Sequence, residues 1–145
     1  MATTKQEDSL GTLSRFYEAE TAYLLAGDQD FSGIALTLDP ECAIYQPASL
    51  PYGGEWKGHK GFEQWMQAFA RQWSSLEVKN AELYPHGDVI VSKSHVYAVS
   101  RDNGRHLDWP LLQFFRIRDG RILELRPFYW DTAVLLKGIS NTTEL

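Results

Sequence analysis

The second half of the chain is a succession of long β-strands joined by tight turns, and this pattern limits the fold more than any other feature. Alternating, β-rich segments predict strands at residues 76–84, 89–100, 106–118 and 121–130. Asn103-Gly104 and Asp119-Gly120 separate the last three segments, and both dipeptides are preferred in two-residue β-hairpins. The sequence therefore predicts an antiparallel meander.

The first half of the chain has helical periodicity. Apolar side chains recur at three- and four-residue steps over residues 13–24, before Gly27, and again over residues 59–73. A short helix is expected at residues 31–38, and residues 42–57 are expected to form a strand, a turn and a return strand. Helices followed by a meander indicate an α+β fold, in which a cone-shaped, curved antiparallel sheet packs against three N-terminal helices.

Length and composition limit the class of protein. The 145 residues are expected to form a single domain, with residues 1–8 and 138–145 as flexible tails. The net charge of −5, without clustered basic residues, argues against a nucleic-acid partner. No apolar run approaches 18 residues and the N-terminus is polar, so we expect a cytoplasmic protein that does not contact a membrane. The single Cys42 and the scattered histidines lack metal-ligand spacing, so neither a metal nor a cofactor is expected.

Two-residue turns would fix the strand register, and with it the side chains that share a face of the sheet. In that register Leu111 lies opposite both Val96 and Phe128, and Gln113 lies opposite Arg126. One face then forms an aromatic-lined surface made of Val96, Ala98, Trp109, Leu111, Gln113, Phe115, Arg126, Phe128 and Trp130. A β-bulge would move part of this set to the other face.

Gln113 and Arg126 are the two polar side chains of that surface. They either pair with each other or with a carboxylate as a structural network, or they belong to a small-molecule pocket, which usually contains a few convergent polar groups. Glu20 falls on the apolar stripe of the first helix. It either pairs with Arg126 or stays partly neutral, because burial disfavours a charged carboxylate.

The opposite face of the predicted sheet is also apolar. It carries Tyr97, Pro110, Leu112, Phe114 and Tyr129. Three short helices cannot cover both sides of the sheet. We therefore expect this face to meet a second copy of the chain, most simply in a two-fold homodimer.

The order of these elements resembles the NTF2-like superfamily, in particular its SnoaL-like and ketosteroid-isomerase-like branch. The resemblance spans about residues 10–136 and is carried by "AGDQDFSGIALTLDPECAIYQP", "LPYGGEWKGHKGFEQWM" and "LLQFFRIRDGRILELRPFYWDTA". It implies an α+β cone with an apolar pocket that commonly dimerises through its sheet. The family includes isomerases, dehydratases, epoxide hydrolases, polyketide cyclases and non-catalytic binders.

The resemblance also implies roles for individual positions. In ketosteroid isomerases the strand that corresponds to residues 43–47 ends in an aspartate that moves a proton, and Gln46 stands at that position here. An amide cannot act as a general base. The family's carboxyl donor of the oxyanion hole corresponds to Gln113, and its tyrosine donor lies near Glu20. Asp131 corresponds to the acid–base aspartate of SnoaL-like cyclases, although "FYWD" departs from their usual pattern.

Two functions are therefore expected as alternatives. The first is a cofactor-independent isomerase, dehydratase or cyclase that uses acid–base chemistry on a hydrophobic, polyketide- or terpenoid-like molecule in an enclosed pocket. Glu20 would shuttle a proton, Gln113 and Arg126 would stabilise developing negative charge, and Asp131 is a further candidate acid or base. The candidate substrate contacts are Tyr45, Gln46, Trp56, Trp65, Trp109, Leu111, Phe128 and Trp130. The second is a module that binds a small molecule or a protein partner without chemistry.

Overall fold

The computed structural model describes residues 3–27 and 29–140, and within them the chain forms helices and strands in the expected order. The helices are α1 (Thr3–Ala26), α2 (Ser32–Ala35), α3 (Gly58–Gln72) and α4 (Thr132–Ile139). The strands are β1 (Leu38–Gln46), β2 (Gly54–Lys57), β3 (Trp73–His86), β4 (Val89–Ser100), β5 (His106–Arg118) and β6 (Arg121–Tyr129). None of these helices is both long enough and apolar enough to cross a membrane.

Parts of both expected tails belong to helices. Residues 3–8 of the expected N-terminal tail belong to α1, and Gly138 and Ile139 of the expected C-terminal tail belong to α4. Ser140 follows α4 as its C-terminal cap. The rest of both expected tails, residues 1–2 and 141–145, lies outside the described residues.

The strands form one curved sheet in the order β2-β1-β6-β5-β4-β3. Every neighbouring pair is antiparallel except β1 and β6, which are parallel. The sheet does not close, because β2 and β3 remain at its two edges. α1 packs against β3 and α3 packs against β1. The expected α+β fold is confirmed.

An aromatic cluster joins the two long helices to the sheet. Phe16 of α1 contacts Phe62 of α3 and Phe115 of β5 edge to face, with ring centroids 6.0 and 6.3 Å apart. All three rings are buried. α1 ends where Gly27 adopts a φ of +73°, a left-handed conformation that glycine takes without steric cost. The buried faces of α1 and α3 thus follow the apolar periodicity of the sequence.

The register between β4 and β5 differs by two residues from the expected one. Val96 pairs with Trp109, and Ser94 pairs with Leu111. The turn is longer than two residues, since Ser100 N donates to Arg105 O and Gly104 N donates to Ser100 O. A shift of two leaves every side chain on its expected face, because the side-chain period of a strand is two. Trp109 and Leu111 therefore remain on the inner face.

The register between β5 and β6 corrects the expected inner face. Ile117 pairs with Ile122 beside the turn, but Arg116 pairs with Glu124, so Leu123 is an extra residue that forms a β-bulge. Beyond this bulge Leu111 pairs with Tyr129 rather than Phe128, and Gln113 pairs with Pro127 rather than Arg126. The prediction that Arg126, Phe128 and Trp130 share the inner face is therefore wrong. Pro127 and Tyr129 lie there instead.

Candidate functional site

A small enclosed cavity lies between α1, α3 and the inner face of the sheet. Its volume is about 20 Å³, which is room for about one water molecule. The lining is mostly apolar and aromatic, and it includes Trp65, Phe69, Trp109, Leu111, Pro127 and Tyr129. Three polar side chains, Glu20, Gln46 and Gln113, interrupt this apolar wall.

Glu20 brings a carboxyl group to the cavity from the buried face of α1. It lies one helical turn after Phe16 and is only 7% exposed. Burial raises the pKa of the Glu20 carboxyl to about 8, because the charged form loses its hydration. The structure gives Glu20 no hydrogen bond or ion pair to any described residue. At neutral pH this group is therefore mainly a neutral acid that can give a proton.

Three further polar atoms of lining residues lack a partner. They are Gln46 Oε1, Trp65 Nε1 and Trp109 Nε1, which are buried and make no hydrogen bond to any described residue. Leaving such an atom unpaired costs about 1–3 kcal/mol. Ser94 Oγ is also buried without a hydrogen bond to any described residue, although Ser94 does not line the cavity. At the cavity, a bound molecule would supply the three missing partners.

Gln113 is held by a hydrogen-bond chain that begins on another strand. The Tyr17 hydroxyl lies 2.5 Å from Gln113 Oε1 and 3.1 Å from Ser92 Oγ. Burial raises the pKa of Tyr17 well above its ordinary value. Tyr17 therefore keeps its proton and donates it to Gln113, although Tyr17 itself does not line the cavity.

Gln46 lies at a wall of the cavity together with Tyr129. The Tyr129 hydroxyl lies 3.0 Å from that of Tyr52. Burial raises the pKa of Tyr129 well above its ordinary value and that of Tyr52 to about 12. The ring of Tyr129 stacks on Trp109 at a centroid distance of 6.0 Å. This wall therefore consists of neutral hydroxyl groups and stacked rings.

Six of the residues proposed from the sequence thus meet at the cavity, namely Glu20, Gln46, Trp65, Trp109, Leu111 and Gln113. Arg126 does not. Its guanidinium forms an ion pair with Glu124 and lies 3.8 Å above the ring of Tyr45. Arg126 pairs with neither Gln113 nor Glu20, because the bulge at Leu123 turns it away from the inner face.

The remaining proposed residues lie elsewhere. Asp131 caps α4, where its Oδ1 accepts a hydrogen bond of 3.1 Å from Val134 N. Phe128 and Trp130 are exposed. Trp56 donates its indole N–H to Tyr52 O at 3.2 Å. Across residues 3–27 and 29–140, no three His, Cys, Asp or Glu side chains are grouped so as to hold a metal ion.

Sequence reasoning missed Tyr17 and Tyr129. Tyr17 lies three residues before Glu20, and this spacing places the two side chains side by side on a helix, so the signal was present. Tyr129 was assigned to the outer face because the register was extended from the turn without a bulge, although the alternation of Leu125 and Pro127 with Glu124 and Arg126 favoured the register that the structure has.

The fold is α+β, and its open, curved sheet encloses a small cavity against two helices. This is the architecture of the NTF2-like class of domains. The model of the SnoaL-like domain matches residues 13–125, and the chain belongs to this SnoaL-like family. The resemblance found in the sequence is confirmed. No curated protein matches the chain significantly.

Solved structures agree with this assignment of the fold. An NTF2-like protein of unknown function from Burkholderia pseudomallei is 22% identical with a TM-score of 0.77, over 92% of this chain and 98% of that chain. TerC, co-crystallised with polyporic acid, is 17% identical with a TM-score of 0.78, over 91% and 98%. A protein provisionally assigned as a SnoaL-like polyketide cyclase, from a Jannaschia species, is 17% identical with a TM-score of 0.76, over 94% of both chains.

Proposed function

We propose that this protein is a cofactor-independent isomerase, dehydratase or cyclase that acts on a hydrophobic, polyketide-like small molecule inside the cavity. One observation carries the proposal: a buried, unpaired carboxyl group lies at a cavity where three other buried polar atoms also lack partners. Buried polar atoms without partners destabilise a core that binds nothing, since each unpaired atom costs free energy of folding. A bound molecule would satisfy the whole set together.

Glu20 is the proposed acid. Its neutral form delivers a proton to an oxygen of the ligand, and the amide of Gln113 and the indole of Trp109 donate hydrogen bonds to the same region. In a dehydration, Glu20 gives its proton to the leaving hydroxyl and the C–O bond breaks; the resulting carboxylate then takes a proton from the neighbouring carbon as the C=C bond forms and water leaves. Delivery to one atom and recovery from another completes an isomerisation. Among the described residues that line the cavity, Glu20 is the only carboxyl, so one group serves both steps.

The path into the cavity is proposed to pass Tyr129. A surface groove of about 320 Å³ shares Gln46, Pro127 and Tyr129 with the cavity wall. Displacement of Tyr129 would join the cavity to this groove and give a volume of the size that small-molecule sites occupy.

The structural neighbours support the choice of ligand class. TerC was crystallised with polyporic acid, and the protein from the Jannaschia species carries a provisional assignment as a polyketide cyclase. A polyketide-like ligand also suits an aromatic lining that contains few polar groups.

A non-catalytic binding module is the second candidate function. The small volume of the cavity, about 20 Å³, favours the form of this alternative that binds a protein partner, because any organic ligand, substrate or not, needs far more room. The two candidates differ in one respect: only the first requires that Glu20 exchange a proton with the ligand.

The test begins with the natural ligand, identified by native mass spectrometry of the purified protein. With that ligand, we expect Glu20→Gln to lower turnover at least about 100-fold while changing affinity little, because the amide keeps the shape but carries no acidic proton. Glu18→Gln, an exposed position on the same helix, serves as the control. Binding without turnover in the wild-type protein would establish the second candidate.

We also propose that the protein is a homodimer. The outer face of the sheet, defined by Tyr97, Leu112, Phe128 and Trp130, exposes large apolar side chains. The bulge at Leu123 enlarges this face, because it turns Phe128 outward. A contiguous apolar surface of this kind is typical of a contact with another protein chain.

A further inference from the structure

The side-chain amide of Gln113 can turn either of two chemically different ends toward the cavity. Its oxygen accepts hydrogen bonds and its NH₂ group donates them, and a rotation by 180° exchanges the two with little change of shape. The orientation decides whether this wall attracts a carbonyl oxygen or an amine. The contacts that Gln113 makes outside the cavity lining determine this orientation.

The distance to Tyr17 identifies which end of the amide faces away. Tyr17 Oη lies 2.5 Å from Gln113 Oε1. Bonds of the O–H···O type run from about 2.5 to 3.0 Å, whereas N–H···O bonds run from about 2.7 to 3.2 Å. The contact is therefore a hydroxyl that donates to an amide oxygen.

Ser92 is the second acceptor within reach of the Tyr17 hydroxyl. Tyr17 Oη is placed to donate to Gln113 Oε1 at 2.5 Å and to Ser92 Oγ at 3.1 Å, and its single proton goes to the nearer acceptor, Gln113 Oε1. Ser92 is fully buried, and Gln113 is 8% exposed, which keeps water from competing for these bonds. Since burial also keeps Tyr17 protonated, the direction of its bond to Gln113 is fixed.

We propose that Tyr17 is a positioning residue that locks the amide of Gln113 with its NH₂ group toward the cavity, which makes the site selective for a carbonyl oxygen. This inference rests on the proposed function and specifies its ligand. The neutral carboxyl of Glu20 and the unpaired indole N–H of Trp109 are also donors, whereas Gln46 Oε1 is an unpaired acceptor. A ligand that presents a carbonyl oxygen to the donors satisfies them; an amine leaves them unpaired.

A matched pair of probes tests this selectivity. Cyclohexanone and methylenecyclohexane have nearly the same shape, but only the ketone carries an acceptor oxygen. We expect the wild-type protein to bind the ketone more tightly, and Tyr17→Phe to reduce that preference about tenfold, because the freed amide no longer presents a fixed donor. A merely loosened structure would weaken both probes equally. Tyr23→Phe removes a hydroxyl from the same helix away from the cavity lining and should keep the preference.

Nuclear magnetic resonance tests the orientation without any ligand. With ¹⁵N-labelled glutamine, we expect the NH₂ protons of Gln113 to show stronger Overhauser contacts to Leu111 and Pro127, which line the cavity, than to the ring of Tyr17. In Tyr17→Phe, the contacts to the phenylalanine ring should become stronger. Stronger contacts to the Tyr17 ring than to Leu111 and Pro127 in the wild-type protein would overturn the proposal, as would an unchanged ketone preference in Tyr17→Phe. If neither probe binds but the wild-type contacts are as expected, the positioning role stands and the small-molecule site fails.

Discussion

At the scale of single residues, the most consequential group is the carboxyl of Glu20. It is buried, lacks a partner among the described residues, and has its pKa raised from 4.5 to about 8 by burial. The unfolded chain holds this proton only below about pH 4.5, whereas the folded protein holds it up to about pH 8. Between these values folding is coupled to proton uptake.

The raised pKa of Glu20 makes the free energy of unfolding depend on pH. Because the folded state binds more protons, the free energy of unfolding falls as pH rises from 4.5 to 8. We expect Glu20→Gln to remove this dependence. The free energy of unfolding of the wild-type protein should therefore fall by on the order of a few kcal/mol, relative to that of the variant, between pH 5 and pH 9. Urea unfolding of both proteins at pH 5, 7 and 9 measures this difference.

Glu18→Gln is the control for this comparison, since Glu18 is exposed on the same helix. Its unfolding free energy should follow the wild-type curve at every pH. Parallel curves for wild-type protein and Glu20→Gln would show that Glu20 is ionised in the folded protein, contrary to the assignment.

Several cavity residues could be predicted from the sequence because their positions follow the periodicity of a helix or of a strand. Glu20 follows the helical period of α1, and Trp109, Leu111 and Gln113 follow the twofold period of β5. The bond between Tyr17 and Gln113 joins positions 96 residues apart. No local pattern could have revealed it, since it depends on how far α1 sits above the sheet.

At the scale of elements, the bulge in β6 marks the limit of prediction. The ends of β6 are ambiguous, because neighbouring residues there are both apolar. In its middle, Leu125 and Pro127 alternate with Glu124 and Arg126, which favours the face that the structure buries. A slip by one residue reverses every side chain, so the register extended from the turn placed the wrong set inside. The register beside the turn was correctly predicted, and the error begins where the extra residue enters.

The turn between β1 and β2 depends on one glycine. A Cβ atom on Gly53 would lie 2.2 Å from Pro47 O and 2.9 Å from Ala48 Cα, and neither backbone atom can move without opening the turn. The turn is held by bonds from Leu50 N to Pro47 O and from Gly53 N to Leu50 O. It follows Gln46 directly, so it also fixes one wall of the cavity.

We therefore expect Gly53→Ala to lower the free energy of unfolding by about 2 kcal/mol or more, because the added Cβ overlaps backbone atoms of the turn. Gly33→Ala is the matched control, because its Cβ would meet Ala19 at an ordinary 3.7 Å. Thermal and urea unfolding of both variants check this. Equal stabilities would mean that the turn relaxes without cost.

At the scale of the whole molecule, the outer face of the sheet exposes apolar side chains to solvent. Tyr97, Leu112, Phe128 and Trp130 are 44%, 46%, 59% and 80% exposed. They lie on or beside three neighbouring strands, β4, β5 and β6, and so form one surface. The sequence predicted an apolar outer face, and the bulge changed which residues of β6 belong to it.

We expect Leu112→Glu to convert a wild-type dimer into a monomer, because it places a charge in the middle of the buried apolar contact. Leu36→Glu, at an apolar position that is 80% exposed beside α2, should leave the dimer intact. Sedimentation velocity at micromolar concentration measures both. A monomeric wild-type protein would contradict the proposed interface.

The parallel pairing of β1 with β6 has a consequence for how the protein is made. Residues 38–44 find their partner at residues 122–125, so the middle of the sheet stays open until the last strand has been synthesised. Contacts of such large sequence separation slow folding, because the closure of a long loop must come first. A nascent chain that has not yet reached β6 leaves Ile44 without its native neighbour Leu125. The two halves of the sheet therefore join only once residues 121–129 are available.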